Sequence, residues 1–343
     1  MTKPIPTIYD VAAQAGVSIS TVSRVLNAPE KVNNDTRNSV LTAIDQLGFV
    51  PKADARARAL KANGRIGVIT PYFTAPSFVQ RLRGVAEALK QTRYELVIYT
   101  VYSAQNLRSY LETLPLTHYL DGLIILSLQF DDKFAQRLVD YQLPTVLVEY
   151  PHTVLNSVEI DDVAGGKLAG QYLVSRGHRS IGFVGDTTVP EYGIHPITQR
   201  LSGFRKALQA ADISLLEQNL LLVPYDAEIT HQKALAFLSN PDHPTAIFAA
   251  TDLQAVGVIR AARELGLRIP QDIAVLGFDD LDLAEYVGLS TIRQHLDESG
   301  RIAAELLLSS ISGKSQAIQH IQLPLEIVDF DSHKDPCWQT QCL

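Results

Sequence analysis

The sequence predicts two kinds of structure in one chain: an all-α head of the helix-turn-helix type and an α/β body of two doubly wound parallel-sheet lobes. Near the N-terminus, apolar residues recur at the helical period on both sides of a glycine. From Arg65 onward, β-branched apolar runs alternate with amphipathic stretches. Because single hydrophobic cores stop growing at about 250 to 300 residues, a chain of 343 residues is expected to form two or three domains.

Charge is divided unevenly along the chain. The net charge is −7, but residues 1–65 carry nine basic and five acidic side chains, whereas the remainder carries 21 basic and 32 acidic ones. We therefore expect a polyanionic partner to meet the first fifth of the chain. The hydrophobic fraction of 46% and the charged fraction of 20% are typical of soluble globular proteins and disfavour disordered, collagen-like and coiled-coil structures.

Targeting and cysteine signals are sparse. The N-terminal residues lack the apolar stretch of a signal peptide, and nowhere do about 18 apolar residues follow one another, so we expect a cytoplasmic protein without membrane contact. Cys337 and Cys342 are the only cysteines, too few for a disulfide framework. The nine histidines are scattered without metal-ligand spacing, and the sequence predicts neither a metal nor a cofactor.

The first two helices of the head are predicted by their end signals. Thr7 and Asp10 have the spacing of a capping box, and the apolar stripe that follows stops at Gly16. Ser18 is the expected N-cap of a second helix, Ile19–Leu26. Two short helices joined through a glycine turn are typical of a helix-turn-helix unit.

The second helix separates its apolar residues from its polar ones. Its inward residues are Val22, Val25 and Leu26, and its outward residues are Ser20, Thr21 and Arg24. A small, polar and cationic face suits the major groove of DNA, where an arginine can pair with guanine through two hydrogen bonds. The alternative for Arg24 is a solvated surface charge.

A third helix and a linker complete the head. Apolar spacing over Asp35–Leu47, with Gly48 as C-cap, predicts a helix that closes a three-helix core. The segment Lys52–Lys61 is rich in Ala and Arg but poor in large apolar residues. Since short isolated helices are marginal in water, we expect this segment to be ordered only when a partner supplies contacts.

The head resembles a known family. The run TIYDVAAQAGVSISTVSRVLN, followed by TRNSVLTAIDQLGFVP, is similar without a gap to the DNA-binding head of the lactose-repressor (LacI/GalR) family of bacterial transcription regulators. The resemblance implies that Ile19, Ser20 and Arg24 read bases. It also implies a second set that holds the phosphate backbone or supports the recognition helix, namely Tyr9, Ser18, Thr21, Ser23 and Asn27.

The linker departs from the family pattern. The family's hinge helix inserts a leucine into the minor groove and kinks the operator, as other apolar wedges do. Arg58 stands where the family carries that leucine, and Leu60 lies two residues later. Leu60 is the candidate wedge, and we assign DNA contacts to both residues.

Eight apolar runs predict the strands of the body in two sets of four. They are Ile66–Thr70, Leu96–Val101, Leu123–Leu126, Thr145–Val148, Ile181–Val184, Leu220–Val223, Ala246–Ala250 and Ile273–Gly277. Helices such as Phe78–Gln91, Ala164–Ser175 and Leu253–Leu265 lie between them. In doubly wound folds a ligand binds outside the carboxyl ends of the strands, so we expect a site between the lobes.

The sequence matches no catalytic template. It has no G-x-G-x-x-G, no H-E-x-x-H and no G-x-S-x-G, and Gly313-Lys314-Ser315 lacks the earlier glycine of a P-loop. Asp279 and Asp280 would point to opposite faces of a strand and would not converge as a catalytic pair. We therefore predict that the protein is not an enzyme.

The body resembles the same family, and through it the periplasmic sugar-binding proteins, from Ile66 to about Phe330. This resemblance implies an effector between the lobes, held by Arg200, Asp252 and Asp279. Such donors and acceptors suit a polyhydroxylated ligand. The aromatic candidates for its apolar face are Tyr72, Phe73 and Tyr225. The alternatives are an ion pair that braces a loop for Arg200 and Asp279, and core packing for each aromatic.

The resemblance implies a ligand-responsive repressor that binds a palindromic DNA operator as a homodimer or tetramer. A sugar effector is preferred, and a nucleobase corepressor is the alternative. A transport binding protein and an α/β enzyme are the rival functions. Residues 187–196 and the tail 332–343 follow no pattern. The expected domains are the head 1–50, the hinge 51–64, one lobe of 65–161 with 293–324, and another of 162–292 with 325–331.

Overall fold

The computed structural model describes residues 6–27, 29–49, 64–117, 119–186, 188, 190–314 and 317–330. The chain divides into two compact units. The first comprises the residues up to Phe73, then Ala86–Ser157 and Ala303–Gln319, and the second comprises Thr74–Val85, Val158–Ile302 and the residues from His320 onward. Within these described ranges, no helix is long and apolar enough to cross a membrane.

The first unit begins with three short helices. They are α1 (Ile8–Ala15), α2 (Ile19–Asn27) and α3 (Asn34–Leu47), with a 3₁₀ turn at Pro29–Lys31. The Asp10 carboxylate accepts hydrogen bonds from the backbone N–H and the hydroxyl of Thr7, both at 2.7 Å, which fixes the start of α1. Gly16 ends α1 with a φ of 67°, a left-handed conformation that glycine adopts at little cost.

The same unit carries a parallel sheet and its helices. The elements are β1 (Arg65–Thr70), β2 (Glu95–Thr100), α5 (Ala104–Thr117), β3 (Gly122–Leu126), α6 (Asp132–Asp140), β4 (Thr145–Val148) and β5 (Asn156–Glu159). The helices α4 (Pro76–Leu89) and α12 (Leu296–Ile311) carry the chain from one unit to the other. The six-stranded sheet has the order β11-β5-β4-β3-β1-β2, with β11 at His320–Gln322. Strand β1, next to the edge strand β2, pairs in parallel with β2 and β3.

The second unit is built around a four-stranded parallel sheet of order β7-β6-β8-β9. Its strands are β6 (Ile181–Gly185), β7 (Leu220–Leu222), β8 (Ala246–Ala249) and β9 (Ala274–Leu276). Its helices are α7 (Asp162–Ser175), α8 (Pro196–Gln209), α9 (Ala227–Leu238), α10 (Asp252–Glu264) and α11 (Asp282–Val287). An antiparallel ribbon joins β10 (Thr291–Arg293) to β12 (Glu326–Val328).

Two glycines let α7 and α8 pack backbone against backbone. A Cβ on Gly166 would lie 1.8 Å from the carbonyl oxygen of Arg200, and a Cβ on Gly203 would lie 1.9 Å from that of Val163. No side chain fits in such a space. The close approach sets the position of Arg200 at the buried side of α8.

The fold class is confirmed: a helical head precedes an α/β body with parallel sheets. All eight predicted strands are present, and their division into two sets of four is confirmed: the first four lie in the six-stranded sheet and the other four form the four-stranded sheet. The four additional strands, β5, β10, β11 and β12, have only three or four residues each. Such short segments, partly polar and paired through distant residues, give little periodic signal. Arg58 and Leu60 lie outside the described residues.

Candidate functional site

The turn between α1 and α2 positions the N-terminus of the second helix. The Ser18 hydroxyl accepts a hydrogen bond from the Thr21 N–H at 3.2 Å and lies 2.8 Å from the hydroxyls of both Ser20 and Thr21. Ser18 therefore caps α2, as predicted, and the three hydroxyl groups share one hydrogen-bonded cluster. This cluster stands at the end of the helix that a DNA-reading helix presents to base edges.

The two faces of α2 differ in exposure as expected. Val22 and Val25 are fully buried in the core of the head, and Leu26 is nearly so. On the other side Ile19 is 40% exposed and Ser20 and Arg24 are exposed, while Thr21 is half-buried. The inner face thus anchors the helix and leaves a small cationic surface in solvent.

The remaining predicted DNA contacts surround this surface. Tyr9 is 68% exposed on α1, and Ser23 is exposed on α2. Asn27 belongs to α2, but its side chain lies outside the described part of the chain, as do Arg58 and Leu60. The head therefore gathers Tyr9, Ser18, Ile19, Ser20, Thr21, Ser23 and Arg24 on two adjacent helices.

In the second unit Arg200 is the centre of a buried polar network. Its Nε donates to Asp162 Oδ1 at 2.8 Å, and its Nη1 donates to the Ala250 carbonyl at 2.7 Å and lies 3.7 Å from Asp279 Oδ1. The guanidinium also stacks 3.6 Å from the centroid of the Phe278 ring. The distance to Asp279 is the longest of these.

Asp279 and Asp280 diverge, as the sequence argument required, although the backbone bends here and Asp279 forms only an isolated parallel bridge with Arg293 and not a strand. Their φ values are 123° and 57°, which ordinary residues rarely adopt. Asp279 accepts a hydrogen bond from Gln294 Nε2 at 2.5 Å, whereas Asp280 pairs with Arg293 Nε at 2.5 Å. The strained turn therefore aims one carboxylate at Arg200 and the other away from it.

Asp252 lies beside this turn but is fully buried. Its carboxylate accepts hydrogen bonds from the Thr291 hydroxyl at 2.5 Å and from the Leu281 N–H at 2.7 Å. Burial, followed by the negative charge of Asp279, raises the pKa of Asp252 well above its ordinary value. In this arrangement Asp252 holds the segment 277–281 in place.

Tyr225 follows β7 and is half-buried near the same cluster. Burial, followed by the negative charge of Asp279, raises the pKa of its phenol, while nearby Ser77 and Arg81 act in the opposite direction. Arg81 Nη2 donates to Gln294 Oε1 at 3.0 Å. Sequence reasoning missed Arg81 and Gln294, which come to this cluster from α4 and from the end of β10, because no local pattern marks them.

The first unit holds two further residues predicted to contact the effector and two polar residues that the sequence analysis did not single out. Tyr72 and Phe73, after β1, are 48% and 39% exposed. Ser127 and Glu149 follow β3 and β4 and are joined by a short hydrogen bond in which the Ser127 hydroxyl donates. Both have positive φ values, 54° and 68°. Both residues lie at the carboxyl ends of neighbouring parallel strands, where doubly wound folds bind ligands, and this position could have identified them in the sequence.

The side chains around Arg200 present hydrogen-bonding groups beside an aromatic ring. Among the residues that the structure describes, no group of three His, Cys, Asp or Glu side chains could hold a metal ion. The network of Arg200, Asp279, Gln294 and Arg81 instead offers donors and acceptors beside an aromatic ring, a combination that binds hydroxyl or amide groups.

Comparisons with known proteins agree with both parts of the chain. The family "Bacterial regulatory proteins, lacI family" matches residues 7–52, and the "Periplasmic binding protein-like domain" matches residues 171–332. The HTH-type transcriptional repressor PurR of Edwardsiella ictaluri is 33% identical over 336 residues, covering 96% of this chain and 97% of the relative.

Two solved structures are also similar over nearly the whole chain. The transcriptional regulator CelR in a cellobiose complex is 30% identical, with 95% of this chain and 99% of that chain covered and a TM-score of 0.67. The lac repressor dimer bound to operator and the anti-inducer ONPF is 27% identical, with 96% and 99% covered and a TM-score of 0.69.

Proposed function

The chain belongs to the lacI family of bacterial regulatory proteins, and we propose that it is a ligand-responsive repressor that binds a palindromic operator as a dimer. The observation that carries this proposal is the separation of α2 into a buried apolar face and an exposed face of Ile19, Ser20 and Arg24. Such a helix can enter the major groove without disturbing the core of its own head.

The symmetry of the operator follows from the symmetry of a dimer. Two heads related by a two-fold axis read two half-sites related by the same axis, one helical turn of DNA or a multiple of it apart. The lac repressor relative is a dimer bound to its operator. The net positive charge of residues 1–65 favours contacts with DNA phosphates. The net negative charge of residues 66–343 repels DNA, which confines contact to the head and the hinge.

The residues proposed to bind the effector are Arg200, Asp279, Tyr225 and Asp252 of the second unit and Tyr72 and Phe73 of the first unit. Within this set Arg200 and Asp279 are the polar pair that touches the ligand, because they lie 3.7 Å apart and together offer donors and acceptors to a single hydroxyl group. Asp252 acts by holding the turn that carries Asp279. The aromatic side chains cover an apolar face of the ligand.

A sugar is the preferred effector, since CelR is solved with cellobiose and another solved relative, from Enterococcus faecium, is solved with ribose. A nucleobase is the second candidate, because aromatic side chains also stack on planar rings. The ligand is bound and released unchanged. The domain division given above, with a hinge at 51–64, belongs to the proposal, as does a cytoplasmic location where the DNA is.

Selection of DNA from a random library by the purified full chain tests the DNA-binding part of this proposal. We expect a near-palindrome of about 14 to 20 base pairs to be enriched. Affinity for this sequence should exceed affinity for random DNA by about 10³-fold or more at fixed salt. Enrichment of no sequence, or of a single unsymmetrical site, would contradict the proposal.

A thermal-shift screen of sugars and nucleobases identifies the effector. A ligand at 100 times its dissociation constant adds about 2.7 kcal/mol to the free energy of unfolding. Replacement of Arg200 by Met should abolish the shift if Arg200 contacts the ligand, whereas replacement of the exposed Arg205 by Met, one turn further along α8, should leave it.

A further inference from the structure

Helix α3 of the head packs against α5 of the first unit through a buried ion pair. Arg37 Nη2 donates to Glu112 Oε2 at 2.5 Å, and the two side chains are only 8% and 10% exposed. Arg108 on the same helix as Glu112 donates to its other carboxylate oxygen at 2.8 Å. Since a buried charge is costly without its partner, this pair favours the docked arrangement of α3 strongly over a half-docked one.

A second polar contact joins α3 to α6. Asp45 accepts two hydrogen bonds from Arg137 Nη1, at 2.6 and 2.7 Å, and a third from the Tyr141 hydroxyl at 2.6 Å. Arg137 is fixed from behind by the backbone carbonyl of Glu112 at 3.1 and 3.2 Å. Because the Arg137 side chain is already held by this carbonyl, it loses little side-chain entropy when it pairs with Asp45.

The apolar part of the contact continues the core of the head. Leu116 of α5 is fully buried in the same cluster as Val40, Ile44 and Phe49, and Tyr141 packs on the edge of that cluster. Nearby, Gln105 Nε2 donates to Asn34 Oδ1 at 3.1 Å. The head–lobe contact, defined by α3 on one side and by α5, α6 and Tyr141 on the other, thus combines apolar burial with three polar links.

The contact leaves the DNA-reading surface free. Ile19, Ser20 and Arg24 of α2 are exposed while α3 is docked. The covalent connection through residues 50–63 also gives the head an effective concentration at the lobe on the order of millimolar, so a weak interface suffices to keep it occupied.

We propose that the α5–α6 face of the first unit is a docking site for the protein's own DNA-binding head. Docking fixes the direction of the recognition helix relative to α5, α6 and the sheet that they cover, so that a movement of these elements carries the recognition helix with it. The docked state is compatible with DNA binding and is kept when operator is bound. The consequence for DNA rests on the proposed function, whereas the docking itself does not.

Cross-linking of the full chain tests the docking. With Cys337 and Cys342 replaced by serine, Asn34→Cys and Gln105→Cys place thiols at a pair of side chains in contact. A short bismaleimide should link this pair at least about tenfold faster than the control pair Gln14→Cys and Gln105→Cys, in which the head thiol stands at an exposed position of α1, with and without operator DNA. Equal rates for the two pairs would overturn the docking.

Two further measurements separate the docking from the proposed function. The linked protein should bind its operator within about twofold of the unlinked protein, and a tenfold loss would overturn the compatibility of docking with DNA binding. The charge reversals Asp45→Arg and Arg137→Asp should each slow the linking, and the double variant should restore part of the rate. If linking is fast but the unlinked protein selects no DNA sequence, the docking stands and the proposed function fails.

Discussion

Gly166 of α7 lies directly against the backbone of α8, and replacement by alanine tests how this contact positions Arg200. The new Cβ would stand 1.8 Å from the Arg200 carbonyl oxygen and 2.6 Å from the carbonyl carbon, where ordinary contacts begin near 3.4 Å. The helices must therefore separate by roughly 1.5 Å. Overpacking of this kind costs about 1 to 3 kcal/mol, here at the upper end because neither backbone can rotate away.

Alanine is more favourable than glycine in a helix by up to about 1 kcal/mol. The free energy of unfolding should therefore fall by about 2 kcal/mol in total. For a unit of this size the melting temperature should fall by about 4 to 8 °C, measured by calorimetry on the full chain. Effector affinity should also fall, because Arg200 moves away from Asp162 and Ala250, whereas operator binding by the head should not change.

The control is Lys167→Ala, an exposed position on the same helix, which should leave the melting temperature nearly unchanged. A rise in the melting temperature of Gly166→Ala would refute the reasoning, because it would mean that helix propensity outweighs the contact and that the helices are not in backbone contact.

Three further predictions concern the head, the hinge and the effector-binding body. Arg24→Ala should lower the preference for operator over random DNA by about 1 to 3 kcal/mol in anisotropy titrations, whereas Lys31→Ala, which removes an exposed cation in the 3₁₀ turn after α2, should weaken binding to both DNAs similarly. Leu60→Ala should reduce specific affinity and DNA bending in gel-shift assays, while Arg58→Ala should mainly flatten the salt dependence of binding; the reverse result would place the wedge elsewhere. Burial raises the pKa of Asp252 above the 3.8 of an unperturbed carboxyl. The free energy of unfolding therefore includes the full contribution of Asp252 below pH 3.8 and loses it as the pH rises through the pKa that Asp252 has in the folded protein. Urea midpoints of Asp252→Asn should therefore depend less on pH than those of the unchanged protein, and parallel curves would contradict the assignment.

The head was largely predictable because its signals are local. The capping residues, the glycine turn and the apolar stripe of α2 all lie within a few residues of the structure that they determine. Arg37 shows where local information ends: it counts as one of the basic residues of the head, yet it is buried against Glu112, 75 positions further along the chain. No pattern near either residue indicates the other.

The residues predicted to bind the effector illustrate a second limit. The resemblance placed Arg200 and Asp279 in one cluster, and the structure brings them within 3.7 Å of each other. It could not indicate that Asp252 is fully buried, since that depends on Thr291 in a later strand. Ser127 and Glu149 were overlooked, because a single polar residue after an apolar run is common at the end of any strand.

The most direct test of the account measures the affinity of the full chain for its selected operator with and without the ligand found by thermal shift. A ligand-responsive regulator should show a ratio of dissociation constants between about 5 and 150, and operator DNA should change the affinity for the ligand by the same factor. A ratio of one in both directions, with saturating ligand bound, would contradict the central claim that ligand and operator control each other's binding.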